Sequence, residues 1–113
     1  MFTIIWEYQI EPAMQTAFEE YYHADGIWAH CFRQHTGFIA TQLLQDQDNP
    51  YHYLTIDYWQ HETSFQQFYQ QHRDDYDAID KLCGSFTISE HHVGTFTVPA
   101  LAGIAMRADR RSE

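Results

Sequence analysis

Residues Phe2–Ile10 alternate without a break, with Phe2, Ile4, Trp6, Tyr8 and Ile10 on one side and Thr3, Ile5, Glu7 and Gln9 on the other. A period of two in β-branched and aromatic residues predicts a strand with one face turned to a core. Glu11-Pro12 ends it, and Pro12 suits the first position of a helix, where its missing N–H is not needed. Met14, Phe18, Tyr21 and Tyr22 then recur at helical spacing. After Ala24-Asp25-Gly26 a second helical piece carries Ile27, Trp28, Cys31 and Phe32, with Asp25 placed to cap it. Gly37 leads into a second strand over Phe38–Gln45, and the cluster Asp46-Gln47-Asp48-Asn49-Pro50 is a turn by composition. A third strand, residues 53–59, returns antiparallel to the second. In the next segment Thr63 and Gln66 have the spacing of a capping box, and Phe65, Phe68, Tyr69, His72, Tyr76, Ile79, Leu82 and Cys83 form one helical stripe up to Gly84. His91-His92 falls in a short loop, and residues 93–98 read as a fourth strand stopped by Pro99. The expected organisation is one domain over residues 1–98 and an extension or tail over residues 99–113.

The order β-α-β-β-α-β, with short right-handed crossovers, predicts an α+β ferredoxin-like fold. Its four-stranded antiparallel sheet carries both helices on one face. The opposite face would present Ile5, Leu54, Ile56 and Tyr58, too apolar a set to sit in water. Two such faces brought together would cover each other, so the pattern implies a homodimer.

Charge narrows the range of partners. Six Lys+Arg stand against sixteen Asp+Glu, for a formal net charge of −10, which disfavours nucleic acid and anionic membrane surfaces. No apolar run approaches the ~18 residues of a membrane helix, and Met1-Phe2-Thr3 opens directly on a strand rather than a signal-like segment. A cytoplasmic chain is expected, with Cys31 and Cys83 as reduced core residues, since neither shows metal-ligand spacing. Aromatic residues reach 17%, more than a minimal core of 113 residues needs, and this points to a pocket or a partner surface.

Strand parity sends Trp6, Tyr8, Tyr53, Thr55, Asp57 and Trp59 to the helix side of the sheet, and His72 lies in the facing helical stripe. A buried carboxyl and imidazole need partners. Asp57 and His72 form a satisfied structural pair, or His72 is a helix-flank residue bonded to water, or the two line a ring-walled pocket in which one of them accepts a proton. The remaining candidates are weaker. His30 and His35 are five apart and His91-His92 are adjacent, neither a ligand pattern. Tyr22, Trp28 and Phe32 read as core, and Arg73-Asp74-Asp75-Tyr76-Asp77 as a solvated helix face. No phosphate loop, nucleophile elbow or dinucleotide fingerprint is present.

Over residues 2–98 the chain resembles the antibiotic biosynthesis monooxygenase family of dimeric α/β-barrel proteins. The resemblance rests on Ile10-Glu11-Pro12-Ala13, on Gly37-Phe38-Ile39, and on Tyr53-Leu54-Thr55-Ile56-Asp57-Tyr58-Trp59 running into Thr63-Ser64-Phe65 and on to His72. It implies sheet-to-sheet dimers with a cavity between sheet and helices in each protomer. It also implies, in some members, oxidation of aromatic substrates by molecular oxygen with no cofactor and no metal. On that pattern His72 or Asp57 would be the catalytic base, Trp59 and Trp6 ring walls, and Tyr8, Tyr53 and Thr55 polar contacts to substrate. Thr55 stands where cofactor-free members carry asparagine. The first-strand asparagine of haem-degrading relatives is replaced here, near Trp6 and Tyr8, so haem breakdown is not implied. A non-catalytic small-molecule-binding or regulatory dimer of the same fold is the alternative reading.

Overall fold

The alternation of the first strand holds in three dimensions: β1 spans Phe2–Ile10 and turns Ile4, Tyr8 and Ile10 into the core. The computed structural model describes residues 1–99. After β1 a 3-10 turn at Pro12–Met14 opens α1 (Gln15–Tyr22), followed by α2 (Ile27–Phe32), β2 (Phe38–Gln45) and β3 (His52–Trp59). The chain continues through α3 (Glu62–Gln71), α4 (Arg73–Cys83) and β4 (Thr87–Thr97). The four strands pair antiparallel in the order β2-β3-β1-β4, with the helices packed on the inward face. This is the ferredoxin-like α+β fold expected from the element order.

Several local expectations are corrected. Gly26, not Asp25, precedes α2, and the Asp25 carboxylate instead accepts a 2.6 Å hydrogen bond from Arg33. The capping box does not form: α3 starts at Glu62 after His61, with no side-chain cap, so Thr63 already lies inside the helix. The stripe from Phe65 to Cys83 is not one helix. His72, at φ −123° and ψ 29°, breaks it into α3 and α4. Gly84 ends α4 in a right-handed conformation (φ −57°), so no left-handed cap is used. β4 begins six residues earlier than expected, at Thr87 rather than residue 93, and His91 and His92 lie within it. The expected tail falls, beyond Pro99, outside the described residues.

The core is a mosaic of rings. Phe18 stacks on Tyr22 with centroids 4.2 Å apart, and Tyr8 meets both edge-on. At the other end of the sheet Trp59, fully buried, packs among Phe32, Phe38, Phe65 and Phe68 at 5.2–5.6 Å. Each such ring contributes about 1.5–3 kcal/mol through burial, and pairs of this geometry add ~1 kcal/mol more. Gly37 sets the approach of α3 to the start of β2, because a Cβ there would lie 2.4–2.5 Å from the Oγ and Cβ of Ser64. Cys31 and Cys83 are buried and unpaired with each other.

On the outward face Ile5, Leu54, Ile56 and Tyr58 are half-buried, while Leu44 and Phe96 are more open. His52 bridges Glu7 and Asp46 at 2.8 Å each, and these carboxylates raise its pKa above the usual imidazole value. Among the described residues no helix is long and apolar enough to cross a membrane.

Candidate functional site

Because strand side chains alternate, the middle of the sheet presents one inward row made of Trp6, Tyr8, Thr55 and Asp57. α1, α2 and α4 do not close fully over that row. A cavity of about 180 Å³ remains beneath them, with the four sheet residues in its floor and Tyr22, Trp28, Phe32 and Tyr76 in its roof and walls. Thr41 from β2, Asp80 from α4 and Glu90 from β4 complete its rim. A second chamber of about 280 Å³ adjoins it and shares Trp6, Phe32, Asp57 and Tyr76. Phe2, Ile4, Phe65 and Thr95 make that chamber more hydrocarbon-lined, and Glu62, Gln66 and His92 stand at its edge. Asp57 therefore sits where the two spaces meet.

The Asp57 carboxylate accepts a 2.6 Å hydrogen bond from the Thr41 hydroxyl, its neighbour across the β2–β3 ladder. That bond favours the charged form. Removal from bulk water opposes it more strongly, and the net effect raises the Asp57 carboxyl from 3.8 to about 6. Around it burial pushes the phenols of Tyr8, Tyr22 and Tyr76 above their ordinary value, so they are neutral hydroxyls at any physiological pH. Glu90 is also raised, first by burial and then by the nearby Asp80 charge. The arrangement is a hydroxyl-bearing, ring-walled hollow with one carboxylate poised near neutrality, fit to take a proton from a flat ligand in its floor.

Trp6, Tyr8, Thr55 and Asp57 are thus brought together as expected. Three other expected residues stand elsewhere. Trp59 ends β3 beyond the hollow and is wrapped by its own phenylalanine cluster, so it is a core residue rather than a ring wall of either chamber. Tyr53 is buried one strand position away, where its hydroxyl accepts hydrogen bonds from Gln15 and Gln45 and donates to Glu19. His72 occupies the α3–α4 break, stacked on Phe68 at 5.5 Å, and borders neither chamber. It makes no hydrogen bond with Asp57. Conversely Tyr22, Trp28 and Phe32 are buried, as a core reading requires, yet they also wall the hollow. His92, tilted against Trp6 at 5.0 Å, belongs to the site from a strand that reads as a loop.

The class this architecture defines is a ferredoxin-like α+β domain with a hollow between sheet and helices and a carboxylate in its floor. The family model for antibiotic biosynthesis monooxygenase matches residues 1–74, and the chain belongs to that family. Among solved structures it is similar to SnoaB, a cofactor-independent oxygenase from Streptomyces nogalater. The two are 20% identical with a TM-score of 0.67, covering 87% of this chain and 92% of that one. A conserved protein from Methanosarcina mazei Go1 has a TM-score of 0.64 at 15% identity, covering 84% of this chain and 89% of that one. At these identities the likeness shows the fold. No curated protein sequence matches the chain.

Proposed function

We propose that this protein is a cofactor-independent monooxygenase that oxidises an aromatic or enolisable small metabolite with molecular oxygen. The observation that carries this reading is Asp57, a carboxyl raised to about 6 and anchored by Thr41 in the floor of an aromatic-walled hollow. A base with a pKa near the working pH is both ionised often enough to accept a proton and basic enough to hold it. In the proposed step the Asp57 carboxylate removes a proton from an activated CH₂ beside a phenol or enol. The carbanion gives one electron to O₂, and the radical and superoxide combine into a peroxide anion, which takes the proton back from Asp57. The Asp57 carboxylate then removes the second C–H proton, the C=O bond forms as the O–O bond breaks, and the departing hydroxide takes that proton and leaves as water. All four electrons that reduce O₂ come from the substrate. Trp6 and Phe32, common to both chambers, would hold the ring flat, while the neutral Tyr8 and Thr55 hydroxyls would donate to the developing oxyanion.

Oxygen uptake with a panel of anthrones, quinols and polyphenols tests the reading. One O₂ consumed per substrate, well above the buffer rate, is expected with at least one of them. No uptake across the panel would favour the second reading, a non-catalytic binding or regulatory protein, which Thr55 in place of the asparagine of cofactor-free members supports.

The protein is also proposed to be a homodimer, paired through the outward sheet face. Ile5, Leu54, Ile56 and Tyr58 lie side by side there, with Leu44 and Phe96 open beside them. Light scattering after size exclusion should give twice the chain mass, and Ile56→Glu should halve it. A monomer at micromolar concentration would overturn this assembly.

A further inference from the structure

Resting on the reading of the hollow as the substrate site, we infer that its smaller chamber is a seat for an organic cation, so that the ligand is an aromatic molecule bearing a protonated amine. Two independent features of the chamber point the same way. The first is its walls. Trp6, Tyr8, Tyr22, Trp28 and Tyr76 form an unbroken chain of rings, each 5.0–6.5 Å from the next. Aromatic faces attract ammonium groups through their quadrupole, most strongly when water is excluded. The second is charge. Asp57, Asp80 and Glu90 come to the chamber from three different elements, and among the described residues no lysine or arginine lines it. Arg33 and Arg73 are engaged outside, with Asp25 and with Asp77 and Tyr69 respectively. Glu90 pairs across the β1–β4 ladder with Tyr8, which puts it on the chamber's side of the sheet, and its carboxylate accepts a hydrogen bond from the Thr87 hydroxyl.

Asp80 and Glu90 repel each other at the rim, and a bound cation relieves that repulsion while pairing with Asp57. A carboxylate or phosphate on the ligand would add to it instead, and the protein's net charge of −10 would slow the approach of any anion. The larger chamber, walled by Phe2, Ile4 and Phe65, suits the ring system. With the amine in the small chamber and the ring in the large one, the linking carbon lies beside Asp57. A cation there would also pull the Asp57 proton off, readying the base as the substrate enters.

The test uses three naphthols that differ in one substituent: aminomethyl, hydroxymethyl or carboxylate. Binding to the full chain is followed through quenching of tryptophan fluorescence. The amine should bind about tenfold tighter than the alcohol, and the carboxylate weakest of all. The advantage should shrink as salt is raised from 20 to about 500 mM. In Asp80→Asn/Glu90→Gln, checked for folding by circular dichroism, amine and alcohol should come within about threefold of each other. Equal affinities in the wild type, tighter binding of the carboxylate, or no binding by any of the three would overturn the inference. Oxygen uptake separates it from the reading it rests on. Equal binding and equal turnover of amine and alcohol would refute the cation seat and leave the oxygenase. Selective amine binding, with no turnover of that amine or of the quinol panel, would do the reverse.

Discussion

Asp57→Asn should lose oxygen uptake by at least about 100-fold, the usual loss when a general base is removed, while the protein becomes no less stable. Both halves follow from one environment. Asn keeps an acceptor for the Thr41 hydroxyl and nearly the same shape, so packing is preserved. What disappears is a carboxyl whose pKa in the folded chain, about 6, lies above its ordinary 3.8. A group with a raised folded pKa binds its proton more tightly in the native state. Its contribution is full below about pH 4 and is lost as pH climbs through about 6. At pH 7.5 the wild type lacks this contribution, at most about 3 kcal/mol and less with water in the hollow, whereas the amide variant has no such loss. Urea midpoints for the two proteins should therefore separate between pH 4 and 7, with the wild type declining more steeply. An inactive and clearly less stable Asp57→Asn would mean that Asp57 is a structural partner and not a base. His72→Ala, altering a residue that borders neither chamber, should leave uptake within about twofold.

Trp59→Ala should be the most destabilising single truncation, by roughly 3–5 kcal/mol. Trp59 has no exposed surface and is held by rings from α2, β2 and α3, so its removal leaves a void that these elements cannot close without unpacking Phe32. Phe32 also walls the hollow, and ligand affinity should fall as a consequence of loosening. Trp59→Phe, which refills most of the space, should recover stability and binding together. A Trp59→Ala protein that melts within a few degrees of wild type, yet no longer binds ligand, would show that Trp59 touches the ligand directly.

Trp59 also shows where the sequence was readable and where it was not. Strand parity correctly turned Tyr53, Thr55, Asp57 and Trp59 inward, and the element order was enough for the sheet topology. Parity, however, carries no information about position along the strand. Thr55 and Asp57 lie under the gap between helices, whereas Tyr53 and Trp59 lie under helices that cover them. A helical stripe has the same weakness: Tyr22, Trp28 and Phe32 face inward whether a void or a side chain lies opposite. The α3–α4 break was hidden because Gln70-Gln71-His72-Arg73 contains neither Pro nor Gly and the apolar stripe runs on through it. The first half of β4 carries no strand signal for a different reason. Its inward positions, Glu90 and His92, are polar because they face the hollow rather than packed hydrocarbon, so the alternation that marks a strand is absent there. The site itself erased the signal.

The most direct measurement is the ionisation of Asp57, followed through its ¹³C carboxyl resonance from pH 3 to 9 in the ligand-free protein. The expected midpoint is about 6, with the Asp57 signal absent from spectra of Asp57→Asn. A midpoint near 4, the value of a solvated aspartate, would contradict a desolvated base in the floor of the hollow.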